Sequence, residues 1–320
     1  MKSLPITALG LGLAATLALT ACSSTGASAG GAFRPSNTTM TVPFSAGGGS
    51  DISGRTVAAG LEAATGVNVT TENREGGAGA VGYSYFLGQA GTDSHLLATE
   101  TSLLTLPIAQ DVEFDHTSFT PIAKFGDDYT LLVVRADSPY RTCADVVDAA
   151  GTDRVVAAVS GAVSLDEVVF SMVEKDQDVE FDRVPFESGG EVLAGLLAGQ
   201  VDIASLNPSE AIGQIESGDF RALCAFAEER YEYEELADIP TAAEQGIDVA
   251  FAQFRGIIAP GGISDEAADY WIDVAGTFAE SDEYTTYIED NYLQPNVSYG
   301  DEFAEYLETA SSDLETVFDK

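Results

Sequence analysis

Basic residues are scarce. Lys and Arg number 14 against 52 Asp and Glu, giving a formal net charge of −38, and only four of the 14 are Lys (Lys2, Lys124, Lys175, Lys320). So acidic a surface repels nucleic acid and anionic membrane, which excludes both as partners. It also fits adaptation to high salt, where screening weakens self-repulsion. Two His and three Cys leave no His/Cys metal site, and no metal or cofactor is expected. A nucleophile elbow and a P-loop are both lacking. His95 follows Asp93 and Ser94, but that order supports no triad, and His95 reads as the first residue of a strand. The expectation is a protein that is not an enzyme. After residue 32 no apolar run is long enough to cross a bilayer.

What is present begins at the N-terminus. Lys2 precedes a short, almost wholly apolar stretch over residues 4–19, as in a secretory signal. Leu19-Thr20-Ala21-Cys22 has the lipobox pattern, so residues 1–21 are expected to be removed and Cys22 to be diacylated. Two acyl chains anchor stably. Residues 22–32, rich in Ser, Gly and Ala, would be a flexible tether. The alternative is an ordinary signal with a chance Cys. Loss of Lys2 would take the net charge to −39. The body that remains suits two domains better than one. Cys143 and Cys224 are then an even pair in an oxidising compartment, as a disulfide or as two buried thiols.

Extended and helical patterns alternate through the body. Strands are predicted at 40–44, 67–72, 95–99, 130–135, 155–160, 181–186, 201–206, 220–226 and 251–258, rich in Val, Ile, Leu and Phe. Helical spacing links Ile52, Val57, Ala58 and Leu61, with Ser50 or Asp51 as N-cap. Leu165, Val168, Val169, Met172 and Val173 mark a second helix, and Val192, Leu193, Leu196 and Leu197 a third. The class is α/β with mostly parallel sheets flanked by helices. From Asp265 onward the pattern is amphipathic helix, with Tyr270, Trp271, Val274, Phe278, Tyr284 and Ile288 inward.

Gly and Pro cluster where strands hand over to helices, the place where open parallel sheets bind ligands. In the run Ser45, Ala46, Gly47, Gly48, Gly49, Ser50, Asp51, the glycines let N–H groups approach a ligand and a helix start adds free donors. That makes an anion cradle without a basic side chain. Gly77, Ala78, Gly79, Ala80, Val81, Gly82 satisfies G-x-G-x-x-G, but after the second strand instead of the first. It reads as a second donor-rich loop. A nucleotide-dependent exported enzyme is the weaker alternative.

The ordered series resembles the extracytoplasmic receptors of tripartite tricarboxylate transporters, the Bug family, over essentially the whole body. Its stations are Val42 to Asp51 with Arg55; Glu72, Asn73, Arg74 and Gly77 to Gly82; Pro185-Phe186 with Gly189-Gly190; Leu196 to Asp202; Ile239 to Gly246; and Gly256 to Gly262. The resemblance implies a two-lobed periplasmic-binding-protein fold of type II kind. Lobe one would be 33–130 plus 254–320 and lobe two 131–253, with crossings near 130–135 and 251–255. It implies capture of a small organic carboxylate, a di- or tricarboxylate or related acid, by lobe closure and delivery to integral membrane transporter subunits. A receptor that reports to a signalling kinase is the alternative. A monomer held to the cell membrane through lipid alone is expected. The loops at 45–50 and 77–80 would hold one carboxylate, with Thr101 and Ser102 adding hydroxyls. Ser160, Gly161, Ser164, Ser188, Gly189 and Asn207 would meet the distal end. Glu187 stands where relatives often carry a neutral or basic residue. Facing the cleft it would favour a monocarboxylate or an ammonium-bearing ligand; the other placement is in solvent.

Overall fold

The computed structural model describes residues 33–161, 164–186 and 189–318. The expected signal, the tether with Cys22, and both Glu187 and Ser188 lie outside the described residues.

From β1 (Asn37–Val42) the chain turns at residues 43–48 into α1 (Gly49–Thr65). That helix stops where Gly66 adopts a left-handed φ of 68° and returns its N–H to the Glu62 carbonyl at 2.8 Å. Next come β2 (Asn68–Asn73), α2 (Ala80–Leu87), β3 (His95–Thr99), α3 (Ser102–Ala109) and β4 (Phe119–Tyr129). Thr130 alone separates β4 from β5 (Leu131–Arg135), which opens the second sheet.

In the second lobe, α4 (Cys143–Ala150) starts from a reciprocal capping box between Thr142 and Asp145. It is followed by β6 (Val156–Val159), α5 (Leu165–Gln177), β7 (Asp182–Pro185) and α6 (Gly189–Leu197). Then come β8 (Ile203–Leu206), α7 (Pro208–Ser217), with proline where a helix start tolerates it, and β9 (Phe220–Ala225). A disulfide between fully buried Cys143 and Cys224 ties α4 to β9. The chain returns through β10 (Ala252–Pro260), α8 (Asp265–Ala279), α9 (Asp282–Asp290), β11 (Gln294–Tyr299) and α10 (Gly300–Phe318).

The first sheet runs β11-β4-β10-β3-β1-β2 and the second β7-β6-β8-β5-β9. The two-lobed α/β architecture is present, but the sheets are mixed instead of mostly parallel. β1 pairs in parallel with β2 and β3, and β6 with β7 and β8. The strands that carry the chain between sheets run antiparallel: β5 against β8 and β9, and β10 against β3 and β4.

Two strands escaped the sequence reading. β4 carries Lys124, Asp127 and Asp128 inside a fully embedded strand, where charge argues against burial. The strand tolerates them because Lys124 Nζ meets Asp127 Oδ1 at 2.7 Å and lies 4.4 Å from the Tyr306 ring centre. β11 is a short, polar edge strand within a stretch expected to be all helix. Ile52 and Leu197, expected inward, are 46% and 40% exposed.

Each lobe has its own core. Met40, Leu61, Phe125, Trp271 and Phe278 fill the first; Val134, Val169, Phe170, Ile203 and Phe226 the second. Gly60 shows how tightly the first is filled, since a Cβ there would lie 2.1 Å from the Phe278 ring. Val168 of α5 joins a cluster with Leu103, Phe303 and Leu307, so α10 packs against both β4 of the first sheet and α5 of the second lobe. His95 is buried with Nε2 3.0 Å from Thr41 Oγ1, and Asp93 accepts from the Ser264 N–H, so neither faces the cleft between the sheets.

Candidate functional site

Strands of both sheets end at a common cleft of about 430 Å³. Its first wall is built at the ends of β1, β2 and β3. The turn after β1 contributes Ser45, Gly48, Gly49 and Ser50. Gly48, not Ser50 or Asp51, is the N-cap of α1. The N–H groups of Gly49 and Ser50 belong to the first turn of α1, where the helix itself supplies no acceptor.

Asp51 fixes this turn from behind. Its carboxylate accepts from Gly47 N–H at 2.9 Å, Arg55 Nε at 2.9 Å and Asn73 Nδ2 at 2.8 Å. Burial opposes its ionisation, but Arg55, Asn73 and the Gly47 N–H together hold its pKa below the ordinary value. Asp51 is therefore a support of the loop and does not line the cleft.

The turn after β2 contributes Glu75, Gly76, Gly77, Ala78 and Gly79. Four consecutive residues have positive φ: Gly76 (128°), Gly77 (60°), Ala78 (55°) and Gly79 (101°). Ala78 is the costly one, at roughly 1 kcal/mol, and such strain collects where a backbone must face a ligand. Ser45 Oγ donates to Glu75 Oε2 at 2.5 Å and links the two glycine turns. After β3 come Glu100, Thr101 and Ser102, all buried at the cleft floor.

The second wall comes from Ser160, Ser164 and Asp166 after β6, Gly189 at the start of α6, and Ser205, Asn207 and Glu210 after β8. Asp166 repeats the role of Asp51. Its Oδ2 accepts the Ser160 N–H at 2.7 Å and its Oδ1 the Glu167 N–H at 3.1 Å. Burial pushes its pKa up, and those hydrogen bonds offset this only in part.

Between the walls lies a buried ion cluster on the crossing strands. Arg255 of β10 gives Nη1 to Glu100 Oε2 at 2.8 Å, and Nε and Nη2 to Asp128 Oδ2 at 3.1 and 2.5 Å. Gln253 Nε2 and the Ser50 hydroxyl also donate to Glu100, and Asn207 Nδ2 donates to Asp128 Oδ1 at 2.6 Å. Burial works against the Arg255 charge, yet Asp128 and Glu100 raise its pKa and keep it cationic. Burial raises both carboxyls while Arg255 pulls them down. The cluster joins residues of both lobes: Ser50 and Glu100 on one side, Asn207 on the other.

Of the expected site residues, Ser45, Gly48, Gly49, Ser50, Gly77, Ala78 and Gly79 line the first wall. Thr101 and Ser102 lie at its floor, and Ser160, Ser164, Gly189 and Asn207 on the second wall. Ala46, Gly47, Asp51, Ala80 and Gly161 do not line the cleft. Ala46 and Gly47 sit on the outer bend of the turn; Ala80 is turned into α2; and Gly161 lies on the bend that Ser164 Oγ closes by donating to its carbonyl. Sequence reasoning missed Glu100, Asp166, Glu210, Gln253 and Arg255. A signal existed for Arg255 and Glu100, because each is a lone charge inside or at the end of an apolar strand. Among the described residues no cluster of three or more His, Cys, Asp or Glu is placed to hold a metal, and no helix is long and apolar enough to cross a membrane.

Residues 54–311 match the model of the tripartite tricarboxylate transporter family receptor, TctC. The chain belongs to that family. Its members are receptors and not enzymes. The matched stretches cover between 65% and 70% of the length of the curated relatives. A UPF0065 protein of Cupriavidus necator is 26% identical over 227 residues, 70% of this chain and 68% of its own. Among solved structures, a Rhodopseudomonas palustris protein with adipate is similar at a TM-score of 0.80 and 23% identity, over 88% of this chain and 95% of its own. MatC of the same species, with bound malate, gives 0.78 and 21% over 88% and 98%. These likenesses fix the fold as the two-lobed one of solute-binding receptors.

Proposed function

We propose that this TctC-family chain is an extracytoplasmic receptor that captures a small organic carboxylate between its lobes and delivers it to integral membrane transporter subunits. Cys22 would carry the lipid that holds it at the membrane. The lobes, 33–130 with 254–320 and 131–253, would close about the two crossings at Thr130 and near Arg255.

One observation carries the reading. The first wall is lined by two adjoining glycine turns, each fixed by a side chain behind or beside it, Asp51 for one and the Ser45–Glu75 hydrogen bond for the other, and their backbone N–H groups would supply the donors. Backbone N–H groups and a helix start favour a carboxylate without a free cation. That suits a chain in which cations are few and Arg255 is already committed. The adipate and malate held by the two R. palustris proteins are carboxylates of the size the cleft admits.

A thermal-shift screen of the purified protein against mono-, di- and tricarboxylates tests this. A ligand at 100 times its Kd stabilises by about 2.7 kcal/mol. Absence of any shift across the panel would remove the carboxylate assignment. Co-isolation with membrane subunits only when such a ligand is present would test delivery separately.

A further inference from the structure

We infer that the captured carboxylate also carries a cationic nitrogen: the ligand is an aminocarboxylate whose ammonium is seated against Glu210 of the second wall. This rests on the carboxylate-receptor reading and narrows its substrate class.

Among the described cleft-lining residues Arg255 is the one cation, against the carboxylates of Glu75, Glu100, Asp166 and Glu210. Arg255 gives its guanidinium to Glu100, Asp128 and the Ser50 hydroxyl, so its charge is shared with two carboxyls before any ligand anion arrives. A carboxylate on the glycine turns meets neutral donors. Its far end meets the second wall, where the acidic groups differ in how they are satisfied. Asp128 already takes Asn207 and Arg255, and Asp166 already takes Ser160 and Glu167. The Asn207 backbone N–H lies close enough to Glu210 to pull its pKa down, and among the described residues no side chain donates to it.

Space has been kept for the Glu210 carboxylate. A Cβ on Gly189 would lie 2.6 Å from Glu210 Oε1, so any side chain at 189 would displace it. Glu210 and Gly189 together border both the cleft and the groove that continues from it past Ile52 and Tyr287. A second ligand carboxylate placed there would face Glu210 with Asp128 and Asp166 behind it. An ammonium would instead complete a charge-assisted pair. Burial, with Asp128, raises the Glu210 pKa to about 7, while Arg255 and the Asn207 N–H pull it down and Asp166 adds to the rise. Near neutral pH Glu210 is therefore partly protonated in the open cleft. A cation beside it drives the proton off, and an anion draws one on.

The test uses calorimetric titration of the full protein at pH 7, in buffers of different ionisation enthalpy, with matched sets such as 4-aminobutanoate, butanoate and succinate. The α-amino acids aspartate and alanine are set beside succinate and propanoate. At least one aminocarboxylate is expected to bind about tenfold or more tightly than its plain and dicarboxylic counterparts. Its binding is expected to release protons, and in Glu210→Gln the preference falls to about twofold. Tighter binding of the dicarboxylate, with proton uptake, overturns the inference and leaves the carboxylate reading standing. An amine preference that survives intact in Glu210→Gln, with no proton release from the native chain, overturns the assignment to Glu210. Failure of every carboxylate to bind overturns both readings. The proton count is read on the native chain, so it decides even if the variant does not fold.

Discussion

The two walls of the cleft use one device and charge it differently. In each, an Asp in the first turn of a helix reaches back to accept an N–H from the preceding loop: Asp51 from Gly47 at 2.9 Å, Asp166 from Ser160 at 2.7 Å. Asp51 has Arg55 and Asn73 beside it and is held below the ordinary carboxylate pKa. Asp166 is buried among hydroxyl and backbone donors, with no basic residue on it among the described residues, and is pushed above. The first wall is thus a turn braced by a neutralised carboxylate. The second carries carboxyls without such a partner, Asp166 with Glu210 close by, and burial raises the pKa of both. On the proposed reading a carboxylate would be received from one side only, and the ligand's orientation would follow from that asymmetry.

Breaking the donor wall has the largest effect on binding. Gly49→Val places a side chain at the helix start, with its Cβ 3.2 Å from Arg255 Nη2. Titration is expected to show binding reduced by about a hundredfold or more, roughly 3 kcal/mol, with the circular dichroism spectrum unchanged. Normal binding by this variant would take the turn out of the site.

Asp51→Ala comes next and acts on stability. It frees the Gly47 turn and removes one acceptor from each of Arg55 and Asn73, which keep each other and the Phe44 carbonyl, at a cost of about 2 kcal/mol in urea unfolding at pH 7. The sign with pH follows from a lowered pKa. The stabilisation from Asp51 is complete above its unfolded value near 3.8 and is lost as pH falls through the lower folded value. Native and variant proteins should converge in stability in strong acid.

Glu210 gives the opposite sign. Its folded pKa of about 7 lies above the ordinary 4.5. The protonated side chain costs nothing below pH 4.5, and the penalty for ionising it accumulates as pH rises through 7. Glu210→Gln should therefore stabilise the ligand-free protein by about 2 kcal/mol at pH 8 and by almost nothing at pH 4, read from thermal melts. Asp166→Asn should be the mildest, about 1 kcal/mol, because the amide oxygen can still accept the Ser160 N–H and no cation is stranded. A loss at Asp166 as large as at Asp51 would remove the contrast between the walls.

The donor wall was legible in the sequence because its information is local. Three glycines between a strand and a helix can be read within a dozen residues, and the turn at 77–79 announces itself in the same way. The acidic wall was not. Arg255 sits 155 positions from Glu100 and 127 from Asp128, so nothing nearby shows that its charge is already used. Glu210 follows Pro208 and Ser209 in what reads as an ordinary acidic helix start, and its half-buried place beside Gly189 of α6 is not visible in the sequence. The same blindness hid β4. Lys124 and Asp127 look like surface charge until their pairing three residues apart is seen inside the sheet. The alternation of strands and helices, by contrast, follows from apolar spacing alone, and only the direction of the crossing strands depended on the two-lobed arrangement.

The central claim is that neutral backbone donors of the first wall capture a carboxylate. Titration of the purified protein with the tightest-binding acid and with its primary amide, matched atom for atom at that end, tests it most directly. The amide is expected to lose affinity by about a hundredfold or more, because glycine turns and a helix start favour negative charge. Equal affinity for acid and amide would contradict it.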